Sequence, residues 1–261
     1  MTDTPLSLLG LAATGIGSAS MIAAGSAVAL AYMVYGVTGF GASIVAIPIL
    51  TQLIPLRSAT PVMLLLDLSA GLLIGAFQMK SVRLDELRKL GPWLAGGLLF
   101  GVTVLVTAPE RPLKLLLGVF LIAYAGWRLL SRDDGRTLAA AWAVPLGLSG
   151  GCLTGVFGTG GPLYTIYVAG RVRDHDERRA TLSTLITLTA FARLGLFGAS
   201  GLYANARVLP LAAWLLPCGA IGLLAGARLR RVIPRDRILK LVWMILIAAG
   251  CSLLVGSLGI L

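Results

Sequence analysis

The chain has 261 residues, of which 57% are apolar and only 13% charged, with a mean hydropathy of +0.90. A soluble domain carries roughly 25% charged residues to coat its surface, so a soluble single-domain enzyme is excluded. The net charge of +11 is read as cationic loops that orient a membrane protein, not as a nucleic-acid footprint, since no soluble domain is left to carry one.

Thirty-three glycines in apolar surroundings fit a polytopic helical membrane protein, where small residues let helices approach closely. The apolar runs are too long for the alternating strands of an outer-membrane barrel. The first basic residue is Arg57, so no positive stretch of the signal-peptide kind is expected before it.

Residues 7–56 are apolar without a charge, too long for one crossing of about 20 residues. Spans are expected at 61–79, 90–108 and 112–130. The polar linker 132–137 then divides an N-terminal repeat, 1–131, from a C-terminal one, 138–261. The second half begins with another overlong apolar segment, 138–170. Spans at about 180–199, 208–227 and 238–260 follow.

A shift of 121 positions places Arg57, Ala59 and Thr60 on Arg178, Ala180 and Thr181. It also places Thr38-Gly39 on Thr159-Gly160, Trp93 on Trp214 and Gly101 on Gly222. The halves therefore read as a duplication. If each overlong segment enters and returns to one side, the inner loops hold 17 basic residues and the outer loops 4. That asymmetry is the one the positive-inside rule requires. Each half then crosses an odd number of times, in opposite senses. The expected fold is all-α and polytopic, with two inverted-topology repeats. Each has a broken or re-entrant glycine-rich segment plus three transmembrane helices, and both termini face outside.

The two returning segments each carry a glycine cluster. One is Gly36-Val37-Thr38-Gly39-Phe40-Gly41, followed by Ser43 and Pro48; the other is Phe157-Gly158-Thr159-Gly160-Gly161-Pro162. Glycine lets the backbone leave helical geometry. Broken backbone in a membrane is tolerated only where protein buries it or it lines a cavity. Paired breaks at matching repeat positions are the best sequence pointer to a transport site. Half-helix starts present free N–H groups and a positive dipole end, which suits a small oxyanion. Thr38, Ser43 and Thr159 add hydroxyl donors.

These motifs, with Arg179-Ala180-Thr181-Leu182 after the second, resemble the two signature regions of the sulfite exporter TauE/SafE family. The resemblance covers nearly the whole chain. It implies transport of sulfur-containing anions, sulfite or organosulfonates such as sulfoacetate, across a bacterial inner membrane.

Asp67 and Arg193 are the ionisable groups inside the spans, apart from tyrosines. Each costs roughly 2.5–3.5 kcal/mol if it faces lipid. Each is the seventh residue of its span from the outer end, so both are expected roughly 10 Å below the outer surface, at about 1.5 Å of rise per residue. That equal depth suggests a pair, either a fixed ion pair or an anion-attracting Arg193 held by Asp67.

The predicted substrate-binding set is Thr38, Gly39, Phe40, Gly41, Ser43, Gly158, Thr159, Gly160, Gly161 and Arg193, with Asp67 as its coupling or ion-pair partner. No catalytic residue, cofactor or metal is expected. His175 is the one histidine, and Cys152, Cys218 and Cys251 have no ligand spacing. The expected partners are a small anion and membrane lipid, with oligomeric state open. Alternating-access export is the first functional reading, and a proton-coupled importer or a small-anion channel the alternative.

Overall fold

The computed structural model describes residues 17–38, 41–74, 82–130, 137–230 and 235–258. The described residues form ten α-helices and two short 3-10 turns, with no strand among them. In chain order these are α1 (Ser18–Thr38), α2 (Ser43–Leu53), α3 (Leu56–Ile74), α4 (Leu84–Thr107) and α5 (Glu110–Leu130), then α6 (Ala143–Phe157), α7 (Gly161–Arg171), α8 (His175–Ala199), α9 (Val208–Leu229) and α10 (Arg235–Leu258). The 3-10 turns are Ala140–Trp142, leading into α6, and Leu202–Ala204, between α8 and α9. Among the described residues, seven helical segments are long and apolar enough to cross a membrane: α1, α4, α5, α6 with its preceding turn, α8, α9 and α10. The chain is thus an all-helical, multi-pass membrane protein.

Both overlong apolar segments are broken. Residues 7–56 contain α1 and the 11-residue α2, and residues 138–170 contain α6 and most of the 11-residue α7. At about 1.5 Å per residue, α2 and α7 are each about 16 Å long, half a bilayer core. Some boundaries differ from expectation. Helix α3 begins at Leu56, so Pro61 lies inside it rather than at its start. Helix α4 begins at Leu84, because Asp85 and Glu86 in its first turn complement the N-terminal dipole and let it run past the apolar stretch. Residues 132–136 of the linker and the end of the 61–79 span lie outside the described residues.

Three helix pairs dominate the packing: α1 with α9, α4 with α6, and α5 with α10. The first two pairs are parallel. Gly25 meets Trp214 and Cys218, while Gly222 meets Ala29 and Gly226 meets Met33. In the other pair Gly147 meets Trp93, Gly97 meets Leu148 and Gly101 meets Cys152. Helices α5 and α10 are antiparallel: Arg111 Nε donates to the Ser257 carbonyl at 2.6 Å, and Gly118 lies against Gly250 and Leu254. Lipid tails are as apolar as the side chains, so contact depends on close backbone approach rather than on hydrophobic burial. A Cβ on Gly101 would strike the Cys152 carbonyl, and one on Gly222 the Ala29 carbonyl.

Gly222→Val is therefore expected to destabilise by about 3 kcal/mol, since backbone cannot yield as a flexible side chain does. The apparent melting temperature in detergent reads the loss. Gly126, where an added Cβ would meet nothing within 4 Å, is the control. Gly126→Ala is expected to hold or raise stability, by up to about 1 kcal/mol from helix propensity.

Candidate functional site

The first break is organised by Asp67, on α3. The Tyr32 hydroxyl, from α1, donates to Asp67 Oδ1 at 2.7 Å, and the Ser43 hydroxyl, from the first residue of α2, donates to Oδ2 at 2.5 Å. One carboxylate thus joins the helix before the break, the helix after it and α3. Both of its oxygens are engaged, which is how a carboxylate is retained inside an apolar bundle. Thr38, expected as a donor to substrate, donates to the Val34 carbonyl of its own helix at 2.8 Å. Gly41 is exposed beside the start of α2. Gly39 and Phe40, also in the predicted set, lie outside the described residues.

The second break is organised by Arg193, on α8. Helix α6 ends at Gly158, in the left-handed region with φ 71°, a conformation glycine adopts without Cβ strain. The same glycine is the floor beneath Arg193. A Cβ there would lie 3.0 Å from both Nη atoms, so only a bare backbone lets the guanidinium settle on the turn. Gly160 is packed against the Gly150 carbonyl, the Thr154 hydroxyl and the Tyr164 hydroxyl, whereas Gly161 has open space around it. Pro162 follows in the first turn of α7, where a missing N–H costs nothing.

Arg193 is 4% exposed, yet its Nε and Nη2 are buried without a hydrogen-bond partner. Its guanidinium carbon lies 5.2 Å from the Phe197 ring centroid, one helical turn on. Two further buried hydroxyls also lack partners: that of Thr159, which follows the Gly158 beneath the guanidinium, and that of Tyr203, in the turn after α8. Tyr203 and Tyr164 lie within electrostatic reach of the guanidinium, and so does Asp67.

Asp67 and Arg193 lie within electrostatic reach of each other, but no ion pair within 4.0 Å joins them. The Asp67 oxygens are committed to Tyr32 and Ser43 instead. The break ends are thus of opposite character: a satisfied carboxylate at the first, an unsatisfied guanidinium at the second.

Sequence reasoning misses Tyr203 and Phe197. Phe197 has a signal, its i+4 spacing from Arg193. Tyr203 has none, because its approach depends on how the turn after α8 folds back. Among the described residues no group of three potential metal ligands gathers.

The sequence profile of the family described as Sulfite exporter TauE/SafE matches residues 7–253. The chain belongs to that family. A relative from Comamonas testosteroni, named a probable inner membrane transporter protein TsaS, is 32% identical over 196 residues, covering 73% of this chain and 80% of the relative. No solved structure matches. The TauE/SafE profile spans both glycine breaks and nearly all of the three dominant helix pairs.

Proposed function

We propose that this family member exports a small sulfur oxyanion, sulfite or an organosulfonate such as sulfoacetate, across the bacterial inner membrane by alternating access. The observation that carries the reading is the donor-rich set of unpaired buried groups on Arg193, Thr159 and Tyr203. Buried polar groups are nearly always paired. A set of unpaired donors that includes a guanidinium is complementary to an oxyanion, which accepts at every oxygen and answers a planar fork bidentately. Burial from water strengthens each contact. With the inside negative, the membrane potential favours anion export by about 2.3 kcal/mol per charge per 100 mV.

The scaffold is read as two inverted repeats, with both termini periplasmic. What supports this is an exchange of packing partners. The first helix of each half lies parallel to the fourth helix of the other, and the aligned pairs Trp93/Trp214 and Gly101/Gly222 each press on the opposite half's first helix. The two halves then rock about the α5–α10 pair, the fifth helix of each.

Asp67 favours a second reading, proton-coupled import. It is a carboxylate between two hydroxyls, within electrostatic reach of the anion-binding guanidinium.

The test is a thermal-shift screen of the purified protein against sulfite, sulfoacetate, isethionate, taurine, sulfate, acetate and chloride, followed by proteoliposome flux of whichever binds. A ligand at 100 times its dissociation constant stabilises by about 2.7 kcal/mol. A shift confined to one or more sulfur oxyanions, with flux that rises on imposing the membrane potential, supports the proposal. Flux that needs a pH gradient selects coupled import, and no shift for any sulfur anion sinks the anion site.

A further inference from the structure

We infer that the cleft where α5 ends and α10 begins is a binding site for the phosphate of an anionic phospholipid. Arg128 lies in the last turn of α5. Its guanidinium carbon is 5.7 Å from the ring centroid of Trp127 and 5.9 Å from that of Trp243 on α10. Tyr124 closes the bed beneath, edge-on to Trp243 at 5.6 Å and tilted to Trp127 at 6.1 Å, with Phe120 stacked on it at 5.8 Å. Arg128 Nε is buried without a hydrogen-bond partner, while the side chain as a whole is only half-buried. Among the described residues no carboxylate pairs with it. Two indole rings therefore hold a half-buried guanidinium in place, and no described carboxylate neutralises it.

The location selects the ligand. Arg128 is two residues from the end of a membrane-spanning helix, at headgroup depth. The last basic loop enters α10 at the same end of the pair, and Lys240 is exposed one turn before Trp243. Tryptophan favours that interface, and the basic loops mark it as cytoplasmic, the leaflet rich in anionic lipid. Below Trp127, the residues Leu116, Val119 and Ala123 continue an exposed apolar stripe at helical spacing along α5. A phospholipid whose phosphate meets Arg128 lays its acyl chain along that stripe. A choline headgroup brings a cation beside the guanidinium and is disfavoured.

The site takes no part in the anion reading above, and its test uses no transport. The full-length protein, purified in detergent and delipidated, is titrated with phosphatidylglycerol, phosphatidylcholine and soluble glycerol phosphate. Retained lipid is read by native mass spectrometry, and stability by melting. Phosphatidylglycerol is expected to be retained and to raise the melting temperature, the other two not. Arg128→Gln is expected to weaken retention roughly tenfold, equivalent to about 1.4 kcal/mol, and Arg128→Lys to fall between, since it keeps the charge but loses the planar fork. Should the glutamine variant fail to fold, Arg128→Lys and Trp127→Leu, the latter at an exposed ring, carry the comparison. Retention unchanged in these variants, equal retention of phosphatidylcholine, or an equal effect of glycerol phosphate alone overturns the inference.

Discussion

Replacing Arg193 with glutamine is expected to lower sulfur-anion flux at least about 100-fold, the scale of losing a charged, bidentate contact, while the melting temperature without ligand holds or rises. The two halves of that result have one cause. A buried guanidinium whose Nε and Nη2 have no partner recovers only part of its desolvation cost, from the Phe197 ring and the field of Asp67. Removing it relieves that cost. Asp67 loses only the longer-range attraction of the guanidinium, because Tyr32 and Ser43 hold both of its oxygens.

The anion-induced melting shift should vanish in the same variant. Arg193→Lys should recover part of the binding, since charge remains but the fork does not. The opposite pattern is equally legible. If Arg193→Gln melts several degrees lower, and Asp67→Asn restores it, the two groups form a structural pair and the anion site lies elsewhere. This pairing of readouts separates a substrate ligand from a scaffold charge, which flux alone cannot do.

Much of the fold is legible because membranes impose simple rules. The overlong segments 7–56 and 138–170 have to break, and their glycine clusters show where. The breaks fall between α1 and α2 and between α6 and α7, at those clusters. Asp67 and Arg193 stand out because any charge in an apolar span demands an explanation. What each one touches is not legible. Tyr32 reaches Asp67 from 35 positions away, and Tyr203 approaches Arg193 through a turn that no periodicity describes. Thr38 reads as a donor to substrate, but threonine in a helix finds its own i−4 carbonyl. Glu86 is hidden most completely. It sits in Asp85-Glu86-Leu87-Arg88-Lys89, in the basic loop expected before the 90–108 span, and its burial depends on the return of α7.

That buried carboxylate leads to the second large effect. Glu86 is 5% exposed. Its Oε1 accepts from Arg171 Nη2 at 2.8 Å and Lys89 Nζ at 3.0 Å, and its Oε2 from the Tyr167 hydroxyl at 2.7 Å and Arg171 Nε at 3.2 Å. Arg171 Nη1 also donates to the Leu138 carbonyl at 3.2 Å. One cluster therefore ties the start of α4, the end of α7 and the chain entering α6, and it fixes the far end of the helix that leaves the second break.

Arg171→Leu is expected to destabilise by about 1–2 kcal/mol, because it removes two of the four donors to a buried carboxylate and leaves Lys89 and Tyr167 to hold it. Glu86→Leu should cost a similar amount, mainly by leaving the buried Tyr167 hydroxyl without its acceptor, since Arg171 keeps the Leu138 carbonyl and reaches solvent. The double variant should cost less than the two single losses together, since both act on the same contacts. Loss of the single variants' stability together with altered flux would mark this cluster as a lock that the transport cycle opens. If both single variants and the double variant melt like the parent, the cluster contributes nothing. Helix α7 would then be held by the packing of Tyr164, Tyr167 and Val168 and by the Leu138 N–H bond to the Gly170 carbonyl, and the second break would be positioned by shape rather than by charge.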